Sequence, residues 1–142
     1  MKREYPDTPL VGIGAVILDQ GRVVLVKRRL PPLAGEWSIP GGRLEVGETM
    51  REGVIREARE ETGLTVEPAE LLGVYDRLVR DDSRRVLYHY VLIDFLCRRL
   101  AGELHAGGDA DDARWFSQEE VGKISLVEDT AEVIRLGFEK TE

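Results

Sequence analysis

The chain reads as an α/β protein, a sandwich of strands and helices. Three observations predict it: apolar runs of strand length cut by turn residues, a charged helical stretch mid-chain, and a second helical stretch near the end. At 142 residues it has the length of one ordinary domain. No linker, low-complexity tract or internal repeat divides it, so residues 1–142 are expected to form a single domain.

Leu10 to Leu18 is a nearly continuous apolar run, as buried strands carry. Asp19-Gln20-Gly21 supplies a turn, and Arg22 to Lys27 the hairpin partner. Pro31, Pro32 and Gly35 mark a loop leading to a short strand at Trp37-Ser38-Ile39. Pro40-Gly41-Gly42 is expected to interrupt regular structure. Thr49 to Thr62, rich in Glu, Arg and Ala, predicts a helix that Gly63 terminates, with Gly53 costing only about 1 kcal/mol inside it. Leu71 to Arg80 and Arg84 to Arg98 predict two long strands joined at Asp81-Asp82-Ser83. In the second, Leu87, Val91, Ile93, Phe95 and Cys97 are expected to share one face. Gly102 to Asp112 reads as irregular chain and Ala113 to Phe116 as a short strand. Ser117 with Glu120 has the spacing of a capping box, and Asp129 to Phe138 predicts the last helix.

Composition narrows the function. Apolar residues make up 42% and charged residues 33%, which excludes a disordered chain. The net charge of −7 argues against a nucleic-acid polymer as partner, since no basic footprint is available to neutralise phosphates. No apolar run is long enough to span a membrane, and the opening MKREYPDTP lacks the apolar core of a secretory signal. Cys97 is the only cysteine, which rules out an internal disulfide and leaves it as a small buried hydrophobe. A cytoplasmic location is the default that follows. A small phosphorylated substrate stays compatible with the acidic balance, because a bound cation reverses the local potential.

The chemistry concentrates between Gly42 and Leu64. Glu57, Glu60 and Glu61 stand at i, i+3 and i+4 of the expected helix, so their side chains leave it as neighbours. Carboxylates that close repel unless cations sit among them, and hard oxygen donors of this kind suit Mg2+ or Mn2+ when substrate phosphates complete the shell. The pair Gly12 and Gly14 lacks the third glycine and following helix of a dinucleotide fingerprint, and is not read as a cofactor site. Neither His89 nor His105 has a spaced Asp or Ser partner that would make it catalytic.

The spacing Gly42, Glu48, Arg56, Glu57, Ala58, Glu60, Glu61, Gly63, Leu64 resembles the Nudix box, G-x5-E-x7-R-E-U-x-E-E-x-G-U with U apolar, position for position. The resemblance implies a Nudix-type α/β/α sandwich with the box as loop–helix–loop. It implies that Glu57, Glu60 and Glu61 bind Mg2+ or Mn2+ and order the attacking water, and that Arg56 holds carboxylates in place. Glu48 matches an outer metal or orienting glutamate, and Gly41 matches a residue whose carbonyl supplies a backbone metal ligand. The implied reaction is attack of water on phosphorus of a diphosphate in a nucleoside diphosphate derivative.

Outside the box, Lys27, Arg28 and Arg29 follow a strand, and Arg28 and Arg29 are candidates to meet substrate phosphates. Trp37 is a candidate to stack on a base, against the alternative of a core aromatic. Asp109, Asp111 and Asp112 lie where many Nudix enzymes recruit a late acidic residue, and Asp111 is the candidate taken from them. Arg28, Pro32, Gly35, Trp37 and Pro40-Gly41-Gly42 are similar to small bacterial Nudix proteins labelled ADP-ribose pyrophosphatases. The proline some fifteen residues beyond the box in well-defined ADP-ribose enzymes is missing near Leu78 to Arg80. The marks of diadenosine polyphosphate, NADH and coenzyme A subclasses are missing too. ADP-ribose or another nucleotide sugar is the favoured substrate. A nucleoside triphosphate pyrophosphohydrolase and a non-catalytic nucleotide sensor stay open, as does a homodimer.

Overall fold

The computed structural model describes residues 2–141. Its elements are β1 (Leu10–Asp19), β2 (Arg22–Arg28), β3 (Trp37–Ser38), β4 (Gly41–Arg43), α1 (Met50–Thr62), β5 (Thr65–Arg80), β6 (Val86–Ala101), β7 (Ala110–Ser117), α2 (Gln118–Val121) and α3 (Glu128–Lys140). The sheet runs β3-β2-β1-β6-β5, with β4 added to β1 and β7 to β2. The sheet is mixed, since β1 and β6 run parallel while the other pairs are antiparallel.

β1 is apolar on both faces because both are covered. Ile13, Ala15 and Ile17 pack with Val54 and Ala58 of α1, while Val16 packs with Val133, Ile134 and Phe138 of α3. Fully burying each aliphatic side chain stabilises by about 2 kcal/mol, and the sheet therefore fixes both helices. The β1–β2 turn places Gln20 and Gly21 at φ 52° and 74°, the left-handed pair that a two-residue hairpin matching strand twist requires.

Several sequence expectations are corrected. Gly41 and Gly42 do not interrupt regular structure; they form β4 against Gly12 to Gly14. A Cβ at Gly41 would land on the Ile13 carbonyl, so the residues that look like breakers are the ones that let two backbones meet. β5 begins at Thr65, six residues before the expected Leu71. It is an edge strand, where Pro68 is tolerated, and its irregularities near Pro68 and Leu71 absorb the awkward residues. β7 begins at Ala110 because the ladder with β2 orders the polar residues before Ala113. In β6 the shared face holds for Ile93, Phe95 and Cys97, which pack on the α1-side core, but the opposite face is covered too. Asp94 to Cys97 are buried on both faces, and Tyr88 and Tyr90 are buried where Leu87 and Val91 are only partly so. α3 runs slightly beyond the expected Asp129 to Phe138 at both ends.

Candidate functional site

β1 and β2 pair only at Leu18–Val23 and Asp19–Arg22, beside their turn. Beyond it they part, β4 taking the free edge of β1 and β3 that of β2. A cleft of about 280 Å³ opens where they diverge, reached by Gly12 to Gly14, Val26, Arg28 and Ser38 to Arg43, and closed by residues of α1, β6 and α3. Gly14 lies next to Asp94 across the parallel ladder, and a Cβ there would strike that carboxylate, so the missing side chain is what admits Asp94 to the wall.

One end of the cleft is built by α1. Thr49 caps the helix in a reciprocal box with Glu52, and Gly63 ends it at φ 75° with its N–H on the Arg59 carbonyl. The register this fixes turns Glu57 and Glu61 into the cleft. Glu61 is 7% exposed, and its Oε1 accepts from the Gly41 N–H at 3.0 Å, tying α1 to β4. Arg56 gathers the other acids. It forks onto Glu48 at 2.6 and 2.9 Å, reaches Glu57 at 2.8 Å and Glu60 at 3.3 Å, and donates to the Arg43 carbonyl at 3.1 Å. This planar clamp is a task lysine does not match.

Burial sets the electrostatics. It pushes the Glu61 carboxyl up to about 7, with the neighbouring Glu57 and Asp109 raising it further and the Gly41 N–H opposing. Burial also raises Glu57, against the pull of Arg56. Glu48 moves the opposite way, held below the ordinary carboxylate range chiefly by its hydrogen bonds from Arg56. The cleft thus holds two carboxyl groups whose ionised forms are destabilised until positive charge arrives.

Its other end comes from distant parts of the chain. Asp94 of β6 is 7% exposed, and burial raises it to about 7, with Asp129 adding to and Arg77 opposing the shift. Arg77 of β5 pairs with Asp129 at the start of α3 at 2.9 Å, beside Thr130. Tyr90, Arg3 and Arg28 complete that side.

Of the residues the sequence singles out, Glu57, Glu61, Gly41 and Arg28 line the cleft, and Arg56 and Glu48 stand directly behind it. Glu60 is half exposed and turned to Arg56. Three expectations are corrected. Trp37 stacks edge-on against Phe116, ring centroids 5.1 Å apart, under Arg114, and belongs to the α3-side core. Arg29 and Asp111 pair with each other at 3.0 Å on the surface. The β2–β7 register shifts at Lys27–Arg28, so Asp111 is the extra residue of a bulge, and Asp109 is the acid that enters the cleft. Sequence reasoning missed Asp94, Arg77 and Asp129, which no local spacing links. It also set aside Gly12 and Gly14, whose alternation on a buried strand was a readable signal for an open floor.

Fold and site together define an α/β protein whose cleft gathers acidic side chains and guanidinium groups around one open space. The family model described as NUDIX domain matches residues 8–137. The chain is 38% identical over 118 residues to the ADP-ribose pyrophosphatase of Methanocaldococcus jannaschii, covering 83% of this chain and 68% of that one. It is 33% identical over 110 residues to the human 8-oxo-dGDP phosphatase, covering 75% of this chain and 31% of that protein. Among solved structures, the MutT Nudix hydrolase of Burkholderia pseudomallei superposes with a TM-score of 0.78 at 30% identity, covering 92% and 98% of the two chains. The chain belongs to the Nudix family, hydrolases that act on phosphoric anhydrides. It spans about two thirds of the archaeal relative and under one third of the human one.

Proposed function

We propose that this protein, acting as a single cytoplasmic domain, hydrolyses the diphosphate linkage of a nucleoside diphosphate derivative, ADP-ribose or another nucleotide sugar, with a divalent cation. The observation that carries this reading is the pair of partly buried Glu57 and buried Glu61 facing one cleft, with Arg56 clamping Glu48 and Glu57 behind it. The resemblance to the archaeal ADP-ribose pyrophosphatase supports the substrate class.

The residues fit Mg2+ or Mn2+ in a specific way. Among the described residues, no three His, Cys, Asp or Glu side chains converge into a ready cage. Mg2+ is commonly held by one or two carboxylates plus substrate phosphates, and Glu57 and Glu61 are two carboxylates lining the cleft with room beside them. In the proposal those two hold the ion, Glu60 joins them when substrate is present, Gly41 offers its carbonyl, and Glu48 serves to orient through Arg56. When bound, the cation supplies a hydroxide-like water near neutral pH and neutralises charge on the phosphate oxygens. Arg56 favours the ionised form of Glu57 against burial and holds it in place, and Arg28 binds phosphate oxygens from the opposite wall.

A second reading, hydrolysis of oxidised nucleoside di- or triphosphates, is favoured by the similarity to the human 8-oxo-dGDP phosphatase. Comparing kcat/KM across ADP-ribose, other nucleotide sugars, and canonical or oxidised nucleoside di- and triphosphates, with Mg2+ and with Mn2+, decides between them. The proposal expects ADP-ribose or another nucleotide sugar to lead. An oxidised nucleotide in the lead installs the second reading, and tight binding without turnover of any compound would make the protein a sensor.

A further inference from the structure

We propose that Arg3 is a phosphate-binding residue of the cleft, acting with Arg28 on the phosphoryl group that the box carboxylates do not hold. This rests on the diphosphate reading above and adds a residue to it. Arg3 lies N-terminal to the family match, which begins at residue 8.

The segment that carries Arg3 is tied down although it joins no strand. The Tyr5 N–H donates to the Leu87 carbonyl at 2.9 Å, and the Tyr5 hydroxyl donates to Asp81 at 2.7 Å. Arg85 sits 4.2 Å over the Tyr5 ring, and the Tyr88 hydroxyl donates to Glu4 at 3.3 Å. A chain anchored this way loses little further entropy when Arg3 meets a ligand, which makes a guanidinium on it useful for binding.

Arg3 enters the cleft lining together with Arg28 and Tyr90. Its Nε donates to the Tyr90 hydroxyl at 3.3 Å and its Nη2 to the Pro31 carbonyl at 3.4 Å. Both bonds are long, and they leave most of the fork uncommitted. Arg28 donates its Nε to the Pro32 carbonyl at 2.8 Å. Two successive carbonyls thus seat the two guanidiniums side by side. Their like charge is felt: burial lowers Arg28 first, Glu61 opposes, and Arg3 and Arg77 lower it further. Among the described residues neither Arg3 nor Arg28 has an ion-pair partner, whereas Arg56 and Arg77 in the same region both do. Two adjacent guanidiniums free of ion pairs among the described residues, backed by a tyrosine hydroxyl, match the oxygens of one phosphoryl group.

The test is calorimetric titration of ADP and of AMP into the full chain with chelator present, comparing wild type, Arg3→Ala and Arg3→Lys. Wild type should bind ADP about tenfold more tightly than AMP, since AMP lacks the second phosphoryl group. Arg3→Ala should erase that advantage while leaving AMP affinity and Tm unchanged, and Arg3→Lys should keep part of it. Undiminished ADP binding in Arg3→Ala overturns the proposal. So does an equal loss for both nucleotides, and so does a wild type without preference for ADP. Hydrolysis by wild type with ADP binding indifferent to Arg3 removes this subsite and leaves the enzymatic reading intact. Arg3-dependent ADP binding without hydrolysis of any nucleotide does the reverse.

Discussion

The two ends of the cleft handle buried charge differently. At the α1 end, one guanidinium, Arg56, meets Glu48, Glu57 and Glu60, and a backbone N–H meets Glu61. At the β6–α3 end, Arg77 is committed to Asp129, and Asp94 has no ion-pair partner among the described residues. The first end holds Glu48 ionised and fixes Glu57 beside it, while burial lifts Glu61 to about 7 until positive charge arrives, an array that suits the binding of a cation. The second keeps Asp94 raised to about 7, so that it sits near the border between donor and acceptor. Burial lifts Glu61 and Asp94 alike, so the two ends differ in what surrounds the lifted acid: a guanidinium-held group of carboxylates at the first, and no such group at the second.

Breaking the α1 end should have the largest effect. Glu57→Gln keeps the shape and removes a charge from the proposed metal site, so steady-state assays should show kcat lowered at least roughly a hundredfold with Tm preserved. Arg56→Ala comes next. It strands Glu48 and Glu57, whose side chains are only 15% and 13% exposed, and should cost about 3 kcal/mol in denaturant unfolding as well as most activity.

At the other end the sign reverses, and this sharpens the comparison. The Asp94 carboxyl titrates at about 7 in the fold against 3.8 as its ordinary value, so the folded state binds more protons between those pH values. Stability from this group is full below about pH 4 and is lost as pH rises through 7. Asp94→Asn, unable to ionise, should therefore unfold at higher temperature than wild type at pH 8 in chelator. The gain, on the order of a few kcal/mol, should vanish at pH 4. Equal melting curves at pH 8 would show that Asp94 is better compensated than its surroundings indicate. The smallest effect belongs to the exposed pair Arg29 and Asp111: Arg29→Ala should change stability by under about 0.5 kcal/mol and leave KM unaltered.

What the sequence disclosed follows the same division. The α1 end is contiguous, its carboxylates spaced on one helix and its turns marked by Thr49 and Gly63, so spacing alone exposed it. The β6–α3 end is assembled by sheet register: Asp94 meets Gly14 across a parallel ladder, and Arg77 reaches Asp129 from another strand. No local pattern carries that information. Asp111 lost its expected place to a one-residue bulge, and Trp37 to the nearby ring of Phe116, brought there by the pairing of β7 with β2. β4 was hidden because Gly41 and Gly42 read as breakers when their smallness in fact permits pairing.

The most direct test of the central claim is a product assay with ADP-ribose, comparing wild type in Mg2+, wild type in chelator, and Glu57→Gln in Mg2+. The account predicts AMP and ribose 5-phosphate from the first alone, with restoration when Mg2+ is returned to the second. Undiminished turnover by Glu57→Gln, or by the chelated protein, would contradict it.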